Sequence, residues 1–236
     1  MSFLALALAL AVATSDSPPE PRMVLPSDVG AFSRIPAGGL FENTVLAFGV
    51  GTDTFTLAST GELRRYRPFK KSAEESVFPD WEGYLVSGWY FLAPEGLYLV
   101  LEKSDMEAGW AELYLMNPET LEVIHHREFP AFNFGPALVT SDALYVAGIG
   151  FLAALDRKAL VYRWCHRDLY SRFSANAFSS LELDGKELKA TFWRLDPTDT
   201  SALTVESDTG NLLEAPSVEA ERSGRLGECP SPIKGL

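Results

Sequence analysis

The sequence predicts an all-β chain, a small β-propeller of four or five blades, with a β-sandwich as the alternative. Three observations predict it. Short apolar runs recur along the chain, several with period-two alternation. Polar turns rich in Gly, Asp, Asn and Pro separate those runs. Aromatic residues are plentiful, with 15 Phe, 8 Tyr and 5 Trp, and such side chains suit a pleated, half-buried surface.

The clearest unit is Ser141 to Arg167. Ala143–Ala147 is apolar and β-prone, and Gly148 and Gly150 interrupt it. Gly150–Leu155 follows and closes on Asp156-Arg157-Lys158. Leu160–Trp164 is the third run, with Leu160, Tyr162 and Trp164 assigned to one face. Upstream, strands are expected at 44–48, 53–58 and 62–66, with Ser59-Thr60-Gly61 as a turn. Residues 70–82 read as irregular, with a short helical turn around Ala73–Glu75. Further runs fall at 84–92, 97–101, 110–116 and 121–125. In the third of these, Trp110, Glu112, Tyr114 and Met116 share one face and Ala111, Leu113 and Leu115 the other. In the fourth, Leu121, Val123 and His125 share a face. Downstream, 177–183 and 187–193 flank an Asp184-Gly185 hairpin signal, and 202–206 and 211–213 flank Ser207–Gly210.

Four turns look comparable: Leu57–Leu63, Leu115–Val123, Leu155–Val161 and Val205–Leu212. Taking Thr60, Thr120, Ala159 and Thr209 as equivalent gives spacings of 60, 39 and 50 residues. A solenoid keeps tighter register; propeller blades with loop insertions drift in this way. The best unit, with Leu144-Tyr145-Val146, Gly148, Ala154-Leu155-Asp156 and Trp164, resembles the repeat of the quinoprotein (PQQ-like) β-propeller superfamily. That resemblance implies a fold and no cofactor, since the quinone-dependent members need a longer chain and ligands absent from the motif here.

The ends read differently. Residues 1–13 carry an apolar run of 11 residues, Phe3–Ala13, ending in Ala11-Val12-Ala13. The run is too short to span a bilayer and is followed by a polar, Pro-rich stretch, which is the layout of a secretory signal peptide. Residues 14–39 are expected to be a linker, 40–215 the propeller-like domain, and 216–236 a mobile tail. Export makes a disulfide between Cys165 and Cys229, the two cysteines, an option beside two unpaired thiols.

The formal charge of −12 argues against nucleic acid and anionic membrane surfaces as main partners and permits a basic protein. No integral membrane segment is expected in the mature chain. Catalytic and metal signals are weak. His125 and His126 point to opposite strand faces, and a His126/Glu128 pair lacks a third ligand. Cys165 and His166 are likewise adjacent on a strand, which does not bring a nucleophile and base into hydrogen-bond reach. Gly148-Ile149-Gly150 lacks the Lys and helix of a phosphate loop. The turn aspartates match no calcium loop.

The strongest functional signal is aromatic and acidic residues in neighbouring loops. Trp81, Glu82, Asp105, Glu107 and Trp110 form the expected partner-binding set, with Trp81 and Trp110 expected to be exposed. The sequence therefore supports an exported, non-catalytic protein-binding propeller without cofactor or metal, suited to neutralising a secreted toxin or effector as an immunity protein does. A small propeller enzyme of the glutaminyl-cyclase kind and an envelope assembly factor are the alternatives.

Overall fold

A computed structural model describes residues 28–216, apart from 36, 39–44, 79, 106, 130, 132, 133, 136 and 195. The expected signal peptide, most of the expected tail and Cys229 lie outside the described residues. The described chain is an all-β propeller built from four antiparallel sheets.

An N-terminal segment comes first, with β1 (Gly30–Ala31), β2 (Ser33–Ile35) and β3 (Ala37–Gly38). Blade 1 then holds β4 (Val45–Val50), β5 (Asp53–Ala58), β6 (Glu62–Tyr66) and β7 (Glu74–Val77). Blade 2 holds β8 (Tyr84–Ala93), β9 (Gly96–Ser104), β10 (Gly109–Met116) and β11 (Val123–Phe129). Blade 3 holds β12 (Leu138–Val139), β13 (Ala143–Gly148), β14 (Phe151–Asp156) and β15 (Tyr162–His166). After the short helix α1 (Leu169–Phe173), blade 4 holds β16 (Ala177–Asp184), β17 (Glu187–Trp193), β18 (Thr200–Glu206) and β19 (Leu212–Glu214).

Each blade is a meander, and alternation along its strands gives it two faces. Leu46, Phe48, Phe55 and Leu57 of blade 1 pack against Leu99, Leu101 and Tyr114 of blade 2. The other face of blade 2, with Val100, Leu113 and Phe129, packs against Val146, Phe151 and Ala153 of blade 3. Tyr145, Leu152 and Trp164 on the far face of blade 3 pack against Leu188, Ala190, Phe192 and Leu203 of blade 4. Three apolar interfaces thus join the blades in chain order. Among the described residues no apolar cluster joins blade 4 to blade 1.

The N-terminal segment adds an edge strand to three sheets in turn. β1 pairs with β12 of blade 3, β2 with β8 of blade 2, and β3 with β4 of blade 1, all antiparallel. Phe32, between β1 and β2, is buried and its ring lies 5.8 Å from Phe91. These strands satisfy backbone groups that would otherwise be an open edge. They fall within the stretch expected to be a linker, because two or three residues carry no readable period.

The third and fourth strands of blades 2, 3 and 4 are joined by one shared turn. In each, a backbone N–H reaches back to the carbonyl four residues earlier: Leu121 to Asn117 at 2.9 Å, Leu160 to Asp156 at 3.0 Å, and Gly210 to Glu206 at 2.7 Å. The donor has positive φ each time, at 62°, 54° and 74°. Three residues further on, Ile124, Arg163 and Leu213 sit at a register shift in the returning strand. This bulge corrects two face assignments. Tyr162 packs toward blade 2 while Trp164 packs toward blade 4, so they do not share a face. Val123 and His125 are separated in the same way, since one extra residue reverses the alternation.

The turn at Leu57–Leu63 is not equivalent to the other three. It joins β5 to β6, the second and third strands of blade 1, whereas blade 1's matching connection is residues 67–73. Counted from Lys70 in that connection, the spacings become 50, 39 and 50 residues. The expected helical turn around Ala73–Glu75 is also corrected. Glu74–Val77 is the outer strand of blade 1, paired with Glu62–Arg65.

Candidate functional site

The connections of a meander alternate between two rims. The turns after β5 and β9 lie on one, called the upper rim here, and those after β4, β6, β8 and β10 on the lower. All five residues of the expected partner-binding set come together on the upper rim, between blades 1 and 2. The hinge of the arrangement is Gly83. A Cβ there would lie 2.6 Å from the Trp110 ring and 3.0 Å from the Ser104 carbonyl oxygen, so the backbone at Gly83 is pressed against Ser104 and Trp110.

The two tryptophans differ from expectation. Both are half-buried and internally engaged. The Trp81 indole N–H donates to the Ser59 carbonyl at 2.7 Å, and its ring covers Gly61. Gly61 has φ +79°, and a Cβ there would meet the ring at 2.5 Å, so only glycine fits. Trp81 also packs 5.8 Å from Phe78. The Trp110 indole N–H donates to Glu112 Oε1 at 3.0 Å.

Beneath both rings lies Lys103, with 0% of its surface exposed. Its Nζ is 4.1 Å from the Trp81 ring centroid and 5.7 Å from that of Trp110, which places the cation against electron-rich faces. The ammonium donates to Glu112 Oε1 at 2.9 Å. Glu112 is the acceptor for the whole cluster. The Tyr114 hydroxyl donates to it, and His126 Nε2 lies 3.7 Å away. Burial pushes the Glu112 carboxyl up, but the neighbouring His126 and hydrogen bonds from Tyr114, Lys103 and Trp110 outweigh it and hold the carboxyl down at about 2. Burial, then Glu112, push the Tyr114 hydroxyl well above its ordinary range. His126 stacks on Tyr114, with centroids 4.5 Å apart and planes at 13°. The period-two pattern of β10 puts Trp110, Glu112 and Tyr114 on one face; Lys103 carries no such signal, because it follows the apolar run 97–101 in the polar stretch Glu102-Lys103-Ser104 and reads as solvent-facing.

Above this locked base, Asp80, Glu82, Asp105 and Glu107 are exposed. Asp105 Oδ1 accepts the backbone N–H groups of Glu107 at 3.0 Å and Ala108 at 2.7 Å, which fixes the loop. Those bonds hold the Asp105 carboxyl below its ordinary value, so it is charged at neutral pH. The arrangement is an acidic rim on a rigid aromatic base. It can attract and orient a cationic surface.

A second feature is a cleft of about 610 Å³ on the lower rim between the same two blades. Asp53, Arg67, Glu95 and Glu119 line it, over Val50, Phe55 and Leu92. Its carboxylates are engaged. Glu119 accepts from Arg67 Nη2 at 2.7 Å, and Glu95 from Arg157 Nη2 at 2.8 Å. Among the described residues, no three His, Cys, Asp or Glu side chains are placed to share a metal ion. His166 is buried in β15 and hydrogen-bonds the Gly210 carbonyl at 2.7 Å, and Cys165 is half-buried beside it. No helix of the described residues is long and apolar enough to cross a membrane.

No family model and no curated protein matches the sequence. Solved structures align with parts of the chain. BamB from Moraxella catarrhalis aligns with a TM-score of 0.40 at 8% identity, over 79% of this chain and 78% of that chain. The WD40 domain of SCAP from fission yeast aligns with a TM-score of 0.36 at 8% identity, over 77% of this chain and 46% of that chain.

Proposed function

We propose that the chain is an exported, non-catalytic scaffold that binds a protein with a basic surface through its upper rim. One observation carries this reading. Four exposed carboxylates, Asp80, Glu82, Asp105 and Glu107, stand on a base whose cation, Lys103, is fully buried and already paired with Glu112. The rim's negative field is therefore not cancelled from below at the surface. Trp81 and Trp110 act as the wedge that holds the loops, and the carboxylates make the contact. Blocking a secreted toxin or effector, as an immunity protein does, is a task this surface suits.

The test is capture of the partner from the source organism, followed by binding of the purified partner to the Glu82→Gln, Asp105→Asn, Glu107→Gln triple variant. The partner is expected to be basic. Its affinity should fall about tenfold or more, mostly through slower association, with little change in melting temperature. Unchanged affinity sinks the reading. Export carries a second expectation, a disulfide between Cys165 and Cys229. Native secreted protein should then begin after residue 13 and be lighter than its reduced form by two hydrogens. A chain that starts at Met1, or that alkylates at both cysteines without reduction, contradicts it.

A further inference from the structure

Each joint between blades is crossed by a side chain that reaches the shared turn of the next blade. Arg65 Nη2 donates to the Glu119 carbonyl at 2.7 Å across the first, and Arg127 Nε donates to the Leu160 carbonyl at 2.9 Å across the second. Across the third, His166 Nε2 donates to the Gly210 carbonyl at 2.7 Å. Leu160 and Gly210 are the same turn position, the positive-φ residue whose N–H reaches back four residues. An imidazole therefore stands where the preceding joint has a guanidinium. A guanidinium keeps its charge and its donors at every physiological pH, whereas an imidazole changes state between about pH 5 and 8.

The surroundings of His166 suit the neutral ring alone. It is 7% exposed and lies 5.6 Å from the Trp164 ring. Its Nε2–H is taken by Gly210, and Nδ1 is buried with no hydrogen-bond partner. A proton added at Nδ1 would create a buried donor without an acceptor and a buried charge without a counter-ion. The packed elements supply neither. β14 places Leu152 beside it, and Arg172 of α1 repels a second positive charge. On the facing turn, Glu206 is engaged by Thr209 and Asn211, and Asp208 lies 3.5 Å from Lys186 Nζ. Among the described residues no carboxylate, the adjacent Asp168 included, bonds the ring.

Blade 4 also lacks the ties that reinforce the other joints. The N-terminal segment pairs with blades 1, 2 and 3 and, among the described residues, not with blade 4. Arg157 of blade 3 is ion-paired with Glu95 of blade 2, whereas the ion pairs of blade 4, Lys186–Asp208 and Arg194–Asp199, are internal. Its apolar face on blade 3 is joined by the bonds of Trp164 to Ser207 and His166 to Gly210.

We propose that the joint between blades 3 and 4 is an acid-sensitive hinge, in which charging of His166 frees blade 4 while the arginine-crossed joints of blades 1–3 stay closed. Opening uncovers the apolar faces that meet there, Tyr145 and Leu152 on blade 3 and Leu188 and Phe192 on blade 4. This device is separate from the upper-rim surface, and its test needs no partner. Burial, with Arg172, outweighs the bond to Gly210 and holds His166 below 6.5 in the closed joint. The closed state is therefore favoured above pH 6.5 and loses that support as the pH falls. The opening equilibrium can rise tenfold per pH unit, to about thirtyfold at most by pH 5. Glu112 titrates far lower and Glu102 acts in the opposite sense, so neither imitates this effect.

Amide hydrogen exchange of the full chain at pH 7.5 and pH 5, corrected for intrinsic rates, tests the proposal. Protection of β17 and β18 should fall about tenfold or more at pH 5, while β5 of blade 1 and β9 of blade 2 are unchanged. His166→Gln keeps an N–H for the Gly210 carbonyl and takes up no proton, so its blade 4 should be protected equally at both pH values. Loss shared by all four blades, or the same loss in His166→Gln, overturns the proposal. NMR titration of the wild-type imidazole gives a reading that no substitution disturbs. His166 should stay neutral until blade 4 loses protection; a ring that charges at pH 6.5 or above with blade 4 still protected also overturns the proposal.

Discussion

Lys103 is held in place by the groups around it, because a buried ammonium without partners is costly. Glu112 supplies the counter-charge at 2.9 Å and the two indoles supply the walls. Lys103→Met should therefore destabilise the fold by about 3–5 kcal/mol, since it strands a buried carboxylate. Adding Glu112→Leu should recover part of that loss, although it strands the Trp110 and Tyr114 donors, as denaturant titration of the three variants would read; purely additive losses contradict the pairing. The same cluster predicts acid behaviour. The Glu112 carboxyl sits at about 2 in the folded chain against an ordinary 4.5, so the folded state binds fewer protons between those values. Its stabilisation is complete above pH 4.5 and is lost as the pH falls toward 2. Burial lowers His166 from 6.5, so its contribution is present above that value and also fades on acidification. Glu102 acts in the opposite sense. Burial raises its carboxyl despite hydrogen bonds from Ser87 and the Phe134 N–H, so its contribution is lost as the pH rises above 4.5. Melting curves from pH 2 to 6 should show a shallower acid slope for Glu112→Gln than for wild type, and an unchanged slope would remove Glu112 as the acid-sensitive group.

The shared turn explains how neighbouring blades hold register. Its carbonyls face the preceding blade, and each turn receives a side-chain donor from there. Arg65 of blade 1 donates to Pro118 and Glu119 of blade 2, the latter at 2.7 Å. Arg127 of blade 2 donates to Leu160 of blade 3 at 2.9 Å. Trp164 of blade 3 donates to Ser207 of blade 4 at 2.7 Å, with His166 on Gly210. The Trp164 ring also covers Gly210, where a Cβ would come within 2.6 Å. Trp164→Phe should keep the packing, lose the donor and cost about 1–2 kcal/mol. Leu160→Gly should destabilise by about 2 kcal/mol or more, because lost burial outweighs the relieved backbone. A Leu160→Gly variant as stable as wild type would mean that backbone strain dominates this turn. The turn was visible in sequence as Asn, Asp, Ser and Thr clusters between apolar runs. The bulge was not, since Ile124, Arg163 and Leu213 have no common side-chain chemistry and a register shift leaves no compositional mark.

Across the whole molecule, the strongly periodic strands of blades 2, 3 and 4 were legible because each buries both faces or alternates plainly. The shortest strands and the outer strand of blade 1 were not. β1, β2, β3 and β12 are two or three residues long, and β7 reads Glu74-Glu75-Ser76-Val77, polar because it closes the outer edge of its sheet. Misreading that edge shifted blade 1's repeat by one strand. The five-residue upper-rim set was legible as loop composition, but its buried lysine needed coordinates. The threading of the N-terminal segment predicts that Phe32→Ala, which opens a gap against Phe91 and Tyr98, costs about 3–5 kcal/mol although the residue lies between strands of two and three residues. A cost near zero would show that this segment does not brace blades 2 and 3.

An acidic rim, held by an aromatic-caged lysine, is the surface we propose meets the partner. Amide hydrogen exchange of the complex with the captured partner maps that surface. Added protection concentrated at residues 80–84 and 104–110, with the partner recovered chemically unchanged, is the predicted result. Protection elsewhere with those two stretches unaffected, or a partner covalently altered on release, would contradict it.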